Sequence, residues 1–228
     1  MALRIAVLQA AAAPADPAAN LAALDAAAAR AVAAGADLLI APECFLTGYD
    51  IGPRIAELAR GDLVGGVRRI AATRGVAVLV GAPVLDGDRV RNAAVLVDRD
   101  GEVVGVHHKS HLFGVQDRRF AAGPDACTVV DLLGVRIAIM ICYDVEFPET
   151  VRLAALAGAE LVAVPTAQME PFTFVAEHLL RVRAWENQVY VAYAILVGTY
   201  RGTGPDGVPE LTVTDAERFP APVDPYET

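Results

Sequence analysis

Cysteine is scarce: three residues in a chain of 228, an odd number and too few for a disulfide framework. A reduced, cytoplasmic protein is therefore the expectation. Long apolar runs are missing too. No stretch approaches the roughly 18–20 residues that a membrane-spanning helix needs. The opening "MALRIAVLQA" has one Arg and a short apolar run, but it alternates like a strand and lacks a signal-peptide cleavage site. There is no run of Lys and Arg, and the net charge is −9, so a nucleic-acid-binding face is not expected. Neither a G-x-G-x-x-G turn after a strand nor a phosphate-binding G-x-x-x-x-G-K-[ST] loop occurs, which leaves nucleotide binding without support. What is abundant is apolar: hydrophobic residues make up 55% and charged ones 21%, the balance of a chain that buries a core.

Strand-like and helix-like segments alternate. "LRIAVLQA" (3–10) reads as a buried strand, and 20–36 as a helix with Asn20 as N-cap and Gly35 as its stop. Strands follow at 37–43 and 76–83, separated by a helix over 62–75. Residues 89–109 read as two strands around "DRDG", a hairpin signal, and 127–142 as a second pair turning near Gly134. Pro148 opens a helix over 148–158, a strand spans 159–166, a long amphipathic helix 171–188 and a last strand 189–198. Beyond Gly198 the pattern decays into Gly, Pro and acids. Helices interleaved with strands and hairpins predict an α/β layered domain with mixed sheets.

In open α/β sheets ligands bind at the carboxyl ends of strands. Three such ends carry reactive groups: "LLIAPE" ends in Glu43, "VVGVHHK" in Lys109 and "IAIMIC" in Cys142. Each alone has a bland explanation, since a free Cys is often core filling and a lone Glu or Lys is often solvated. Together they form a working set. A thiol of pKa near 8.5 is mostly protonated at neutral pH; a nearby Lys favours the thiolate and a carboxylate within reach accepts the proton. The helix starting at Pro148 adds its N-terminal dipole. Cys44, beside Glu43, is read as packing turned away by strand alternation, and Cys127 as core. "HHKSH" supplies His107, His108 and His111 without a partner at ligand spacing, so no metal site is expected. Glu146 is a candidate pocket residue, and Trp185 and Glu186 sit on a helix where core or subunit packing is the ordinary role.

"APECFLTGYD", "HHKSHLFG" and "ICYDVEFPE", in this order, resemble the Glu, Lys and Cys motifs of the nitrilase superfamily of carbon–nitrogen hydrolases. "RNAAVLVDRDGEVVGVHHK", "GAELVAVPTAQM" and "RVRAWENQVYVAYA" extend the resemblance over residues 3–197, and "CYDVEFPE" is closer to the amidase-like branches than to true nitrilases. The resemblance implies a four-layer αββα sandwich and a hydrolase with no cofactor. It makes Glu43 the general base, Lys109 the stabiliser of the tetrahedral intermediate and Cys142 the nucleophile. Tyr143 would lend its backbone N–H to an oxyanion hole, Asp117 in "GVQDRRFAAG" would be the further acid after the Lys motif, and Glu146 would line the substrate pocket. The implied reaction cleaves a small aliphatic amide through a Cys thioester, giving a carboxylic acid and ammonia. The alternatives are an N-carbamoyl-compound hydrolase and a non-catalytic, truncated family member. The implied partners are a small-molecule amide and a second copy of the chain, in a homodimer or higher homo-oligomer, with no nucleic acid and no membrane.

The sequence departs from that pattern near its end. Ile195 stands where relatives carry Asn, and "GTGPDGVPELTV" keeps part of a later hairpin. A hydrolase domain over 1–198 followed by a shortened or divergent tail over 199–228 is the expected organisation.

Overall fold

Strand β3 (Ala77–Asp86) is buried on both faces from Ala77 to Pro83, which a strand needs when layers cover it from each side. The structure, a computed structural model, describes residues 3–198. Five strands form one sheet in sequence order: β1 (Ile5–Val7), β2 (Leu38–Ile40), β3, β4 (Arg89–Val97) and β5 (Val103–His108). Pairing is parallel between β1, β2 and β3 and antiparallel from β3 to β5. The second sheet runs β6 (Thr128–Leu132), β7 (Val135–Ile139), β8 (Leu161–Thr166) and β9 (Tyr190–Ile195).

Three apolar clusters define four layers. Leu38, Leu79 and Leu96 of the first sheet meet Ile137, Ile139 and Leu161 of the second in the central one. The outer face of the first sheet packs on α1 (Pro17–Ala33) and α3 (Leu63–Arg74) through Leu24, Ala28, Val67 and Val78. Ala138, Val162 and Val164 of the second sheet pack on α4 (Pro148–Leu156) and α5 (Leu180–Asn187) through Val151, Ala154 and Leu180. The chain is thus the αββα sandwich expected from its resemblance. No helix among the described residues is long and apolar enough to cross a membrane.

Several local expectations change. The N-cap of α1 is Asp16, whose side chain accepts from the Ala19 N–H, with Pro17 in the first turn. Asn20 lies inside the helix and, buried, ties the Ala13 backbone to the Leu46 carbonyl. A short helix α2 (Arg54–Leu58) occupies a stretch to which the sequence reading assigns no element, because five residues are too few for an apolar period to show. The long helix expected over 171–188 starts as a π-type turn, Val175–Leu179, before α5. Both expected hairpins form: Gly101 (φ 87°) closes one, Leu133 (φ 53°) and Gly134 (φ 80°) the other. The Gly- and Pro-rich tail expected over 199–228 lies outside the described residues.

Candidate active site

The first sheet ends β2 at Ile40, and the chain then folds into a tight turn that carries Glu43 over β3. The turn hugs the sheet: the Gly81 N–H donates to the Pro42 carbonyl (3.0 Å) and the Leu46 N–H to the Gly81 carbonyl (3.3 Å). Only glycine fits beneath it, since a Cβ at 81 would lie 2.5 Å from the Glu43 Cα and 2.6 Å from the Pro42 oxygen. Glu43 is fully buried, and both its oxygens are engaged. Oε1 accepts from Asn92 Nδ2 (2.7 Å) and Lys109 Nζ (2.8 Å), and Oε2 from the Ala167 N–H (2.8 Å).

Lys109 follows β5 directly, its N–H donating to the Asn92 carbonyl on β4 (2.8 Å). It is the only lysine in the sequence and is 1% exposed. Its ammonium bridges Glu43 and Asp117, with Asp117 Oδ2 at 2.7 Å. Asp117 is anchored in turn by the Phe113 N–H (2.8 Å) and by the Tyr49 hydroxyl, which donates to Oδ1 (2.5 Å). Burial alone would lower the Lys109 pKa, but Glu43, Tyr49 and Asp117 raise it well above 10.5. Burial raises Glu43 above 4.5, opposed by Lys109 and reinforced by Asp117.

Cys142 opens a 3₁₀ turn, Cys142–Glu146, just past the end of β7. Its φ is +46°, a left-handed conformation that costs a non-glycine residue about 1–2 kcal/mol, so the turn holds its thiol off the strand's line. Burial and then the Glu43 charge push that thiol well above 9.0, outweighing Lys109. Lys109 favours the thiolate, as expected, but its pull is the weaker one beside burial and the Glu43 charge. The Cys142 side chain is thus held as a thiol. As the second residue of the turn, Tyr143 has an N–H with no intrahelical partner. Its ring packs edge-on to Phe113 (5.3 Å) and Phe147 (4.9 Å).

Cys142, Lys109 and Glu146 line one pocket with Tyr49, Phe113, Ala167, Gln168, Met169 and Phe172, enclosing about 320 Å³ that includes space open to solvent. All six residues singled out from the sequence converge here: Glu43, Lys109 and Asp117 in direct contact, Cys142 and Glu146 on the pocket wall, and Tyr143 between them in the turn. Cys44 does not. It is buried and its thiol donates to Asn92 Oδ1 (3.6 Å). The reason is a turn residue at φ +48°, beyond β2, and not strand alternation. Cys127 is half-buried at the edge of the third cluster, and Trp185 is 79% exposed and so no core residue.

Sequence reasoning passed over Asn92, Tyr49 and Asp144. Asn92 sits mid-strand in β4, where a polar amide with poor strand preference was the available signal. Asp144 is the hub joining two strand ends. It accepts from the N–H groups of Ile141 (3.0 Å), Ser110 (3.2 Å) and His111 (2.8 Å) and from Ser110 Oγ (2.9 Å). His107 Nε2 (3.1 Å) and His111 Nδ1 (3.0 Å) also contact it. Burial opposes its ionisation, but His107 and these donors hold it below 3.8. The histidines therefore serve a carboxylate, and among the described residues no three His, Cys, Asp or Glu side chains gather as a metal site.

Two sheets in an αββα stack, with Glu, Lys and Cys brought together at strand ends, define a carbon–nitrogen hydrolase. The family model for carbon–nitrogen hydrolases matches residues 4–215, and the chain belongs to that family. It falls in the amidase-like branch of the nitrilase superfamily. It is 44% identical over 202 residues to a hydrolase of Pseudomonas protegens, covering 86% of this chain and 70% of that protein. It is 35% identical over 175 residues to an (R)-stereoselective amidase of a Pseudomonas species, covering 75% of this chain and 62% of that protein. A solved amidase from Nesterenkonia sp. AN1 superposes with a TM-score of 0.83 at 39% identity, covering 93% of this chain and 89% of that one. The chain thus spans between 62% and 70% of the length of these two curated relatives.

Proposed function

We propose that this chain is an amidase that hydrolyses small linear amides through a thioester on Cys142, without a cofactor. The observation that carries the reading is the buried Glu43–Lys109–Asp117 cluster opening onto Cys142 in one pocket. Glu43 takes the thiol proton as Sγ bonds to the amide carbonyl carbon. The oxyanion forms beside the Lys109 ammonium and the Tyr143 N–H, donors that stabilise the developing charge. Collapse breaks the C–N bond, Glu43 returns its proton to nitrogen and ammonia leaves. Glu43 then takes a proton from water, whose oxygen attacks the thioester; carboxylic acid departs and sulfur regains its proton. Asp117 positions Lys109 throughout.

The neighbours support this reading. A cysteine-to-alanine variant of the Nesterenkonia amidase was solved in complex with butyramide, and another variant shows the acetamide moiety of fluoroacetamide added covalently at the active-site cysteine. Incubation with butyramide should release ammonia, and quenched intact-mass analysis should find an acyl adduct confined to Cys142. Cys142→Ala should lose both; turnover persisting in that variant would overturn the proposal. Self-association belongs to the same reading: Leu156, Trp185 and Tyr190, on α4, α5 and β9, are each more than three-quarters exposed. Three unpaired thiols suit a cytoplasmic setting.

A further inference from the structure

The hydrolytic scheme leaves one pocket carboxylate without a task. Glu146 closes the turn that Cys142 opens, so it sits on the same rim as the nucleophile, half-buried and lining the pocket. Among the described residues its carboxylate accepts no hydrogen bond. The nearest guanidinium, Arg183, is spent elsewhere: it donates to the backbone carbonyls of Val145 (3.2 Å) and Glu146 (2.6 Å) and to the Glu186 carboxylate (3.0 Å). Desolvation raises the Glu146 pKa, with Lys109 and Arg183 opposing, which is the situation of an acid awaiting a counter-charge.

Beyond the oxyanion donors of the proposed scheme, the described pocket residues offer no free charged donor to an anion on the acyl chain. Lys109 is already shared by Glu43 and Asp117. The Tyr49 hydroxyl is committed to Asp117, and Gln168 Nε2 to the Phe172 carbonyl. Arg119 stacks over Tyr49 at 5.3 Å but pairs with Asp50 (3.2 Å) and does not line the pocket. Three carboxyl groups therefore face one ammonium in and beneath the pocket. A carboxylate on the substrate's acyl chain would be desolvated against Glu146 with no donor to meet it, whereas an ammonium there would satisfy an otherwise unpaired acid.

Resting on the amidase reading, we propose that Glu146 selects the acyl half of the substrate by charge. The site favours amides whose acyl chain ends in a hydrogen-bond donor, best an ammonium, accepts neutral alkyl chains less well, and rejects those ending in a carboxylate. Amino-amides are the favoured class, and half-amides of dicarboxylic acids the excluded one.

Three probes carry the terminal group on the same carbon: 3-aminopropanamide, butanamide and succinamate, cationic, neutral and anionic at about pH 7. Binding is titrated by NMR on Cys142→Ala, so that selection is read without turnover, and kcat/KM is measured on the native chain. 3-Aminopropanamide should bind at least about tenfold tighter than succinamate. Adding Glu146→Gln should shrink that ratio about tenfold, and Glu146→Lys should reverse it. A purely structural role would move all three probes together. An unchanged ratio in both variants, or no binding of 3-aminopropanamide, overturns charge selection. Charge-selective binding without turnover of any probe by the folded native chain would instead overturn the amidase reading alone.

Discussion

In the proposed scheme Glu43 receives a proton from a thiol that burial keeps protonated, so its own charge state would gate the first step. Burial raises its pKa above 4.5, and the base form exists only above the raised value. The kcat/KM for butanamide should therefore fall as pH drops through a midpoint above 4.5, a limb set by Glu43. A midpoint at or below 4.5 would contradict that assignment. On the alkaline side, Lys109 titrates well above 10.5, so loss of its charge should not limit the rate below that pH. Three of these residues were legible as strand-end chemistry. Their supports were not: Asn92 and Asp144 act through hydrogen bonds to partners far away in sequence, which no spacing rule connects.

At the scale of elements, the site depends on how closely one turn lies on one strand. Gly81→Ala should lift the Glu43 turn from β3, because the added carbon meets backbone rather than a yielding side chain. Thermal and denaturant unfolding should show a loss of about 1–3 kcal/mol, the usual cost of overpacking. Butanamide hydrolysis should fall by more than the stability loss explains, since Glu43 moves relative to Lys109; wild-type kcat/KM in a folded Gly81→Ala would refute the coupling. The strands themselves were readable from apolar runs and the "DRDG" turn. The reactive residues were not quite where that reading put them. Glu43 and Cys142 lie past the last paired residues, Ile40 and Ile139, in turns whose positive φ values at Cys44 and Cys142 no propensity announces.

For the molecule as a whole, four layers bury both sheets, and among the described residues an apolar face stands exposed. Leu156 (78% exposed), Trp185 (79%) and Tyr190 (80%) lie on adjoining elements, and Arg152 ties α4 to α5 by donating to the Glu186 carbonyl (2.9 Å). Light scattering after size exclusion should give the mass of a dimer or larger assembly, and Trp185→Glu should shift it toward the monomer; a monomeric wild type would remove the self-association proposal. The layering itself was legible because strand–helix alternation admits few stacks, whereas an exposed Trp and a buried one look alike in sequence. One more property belongs to the chain entire. Its sole lysine side chain is the one wedged between Glu43 and Asp117. Growth on ¹⁵N-lysine would thus light a single Nζ resonance, so the protein carries its own site-specific spectroscopic probe, reporting each change of charge in the pocket against an otherwise silent background.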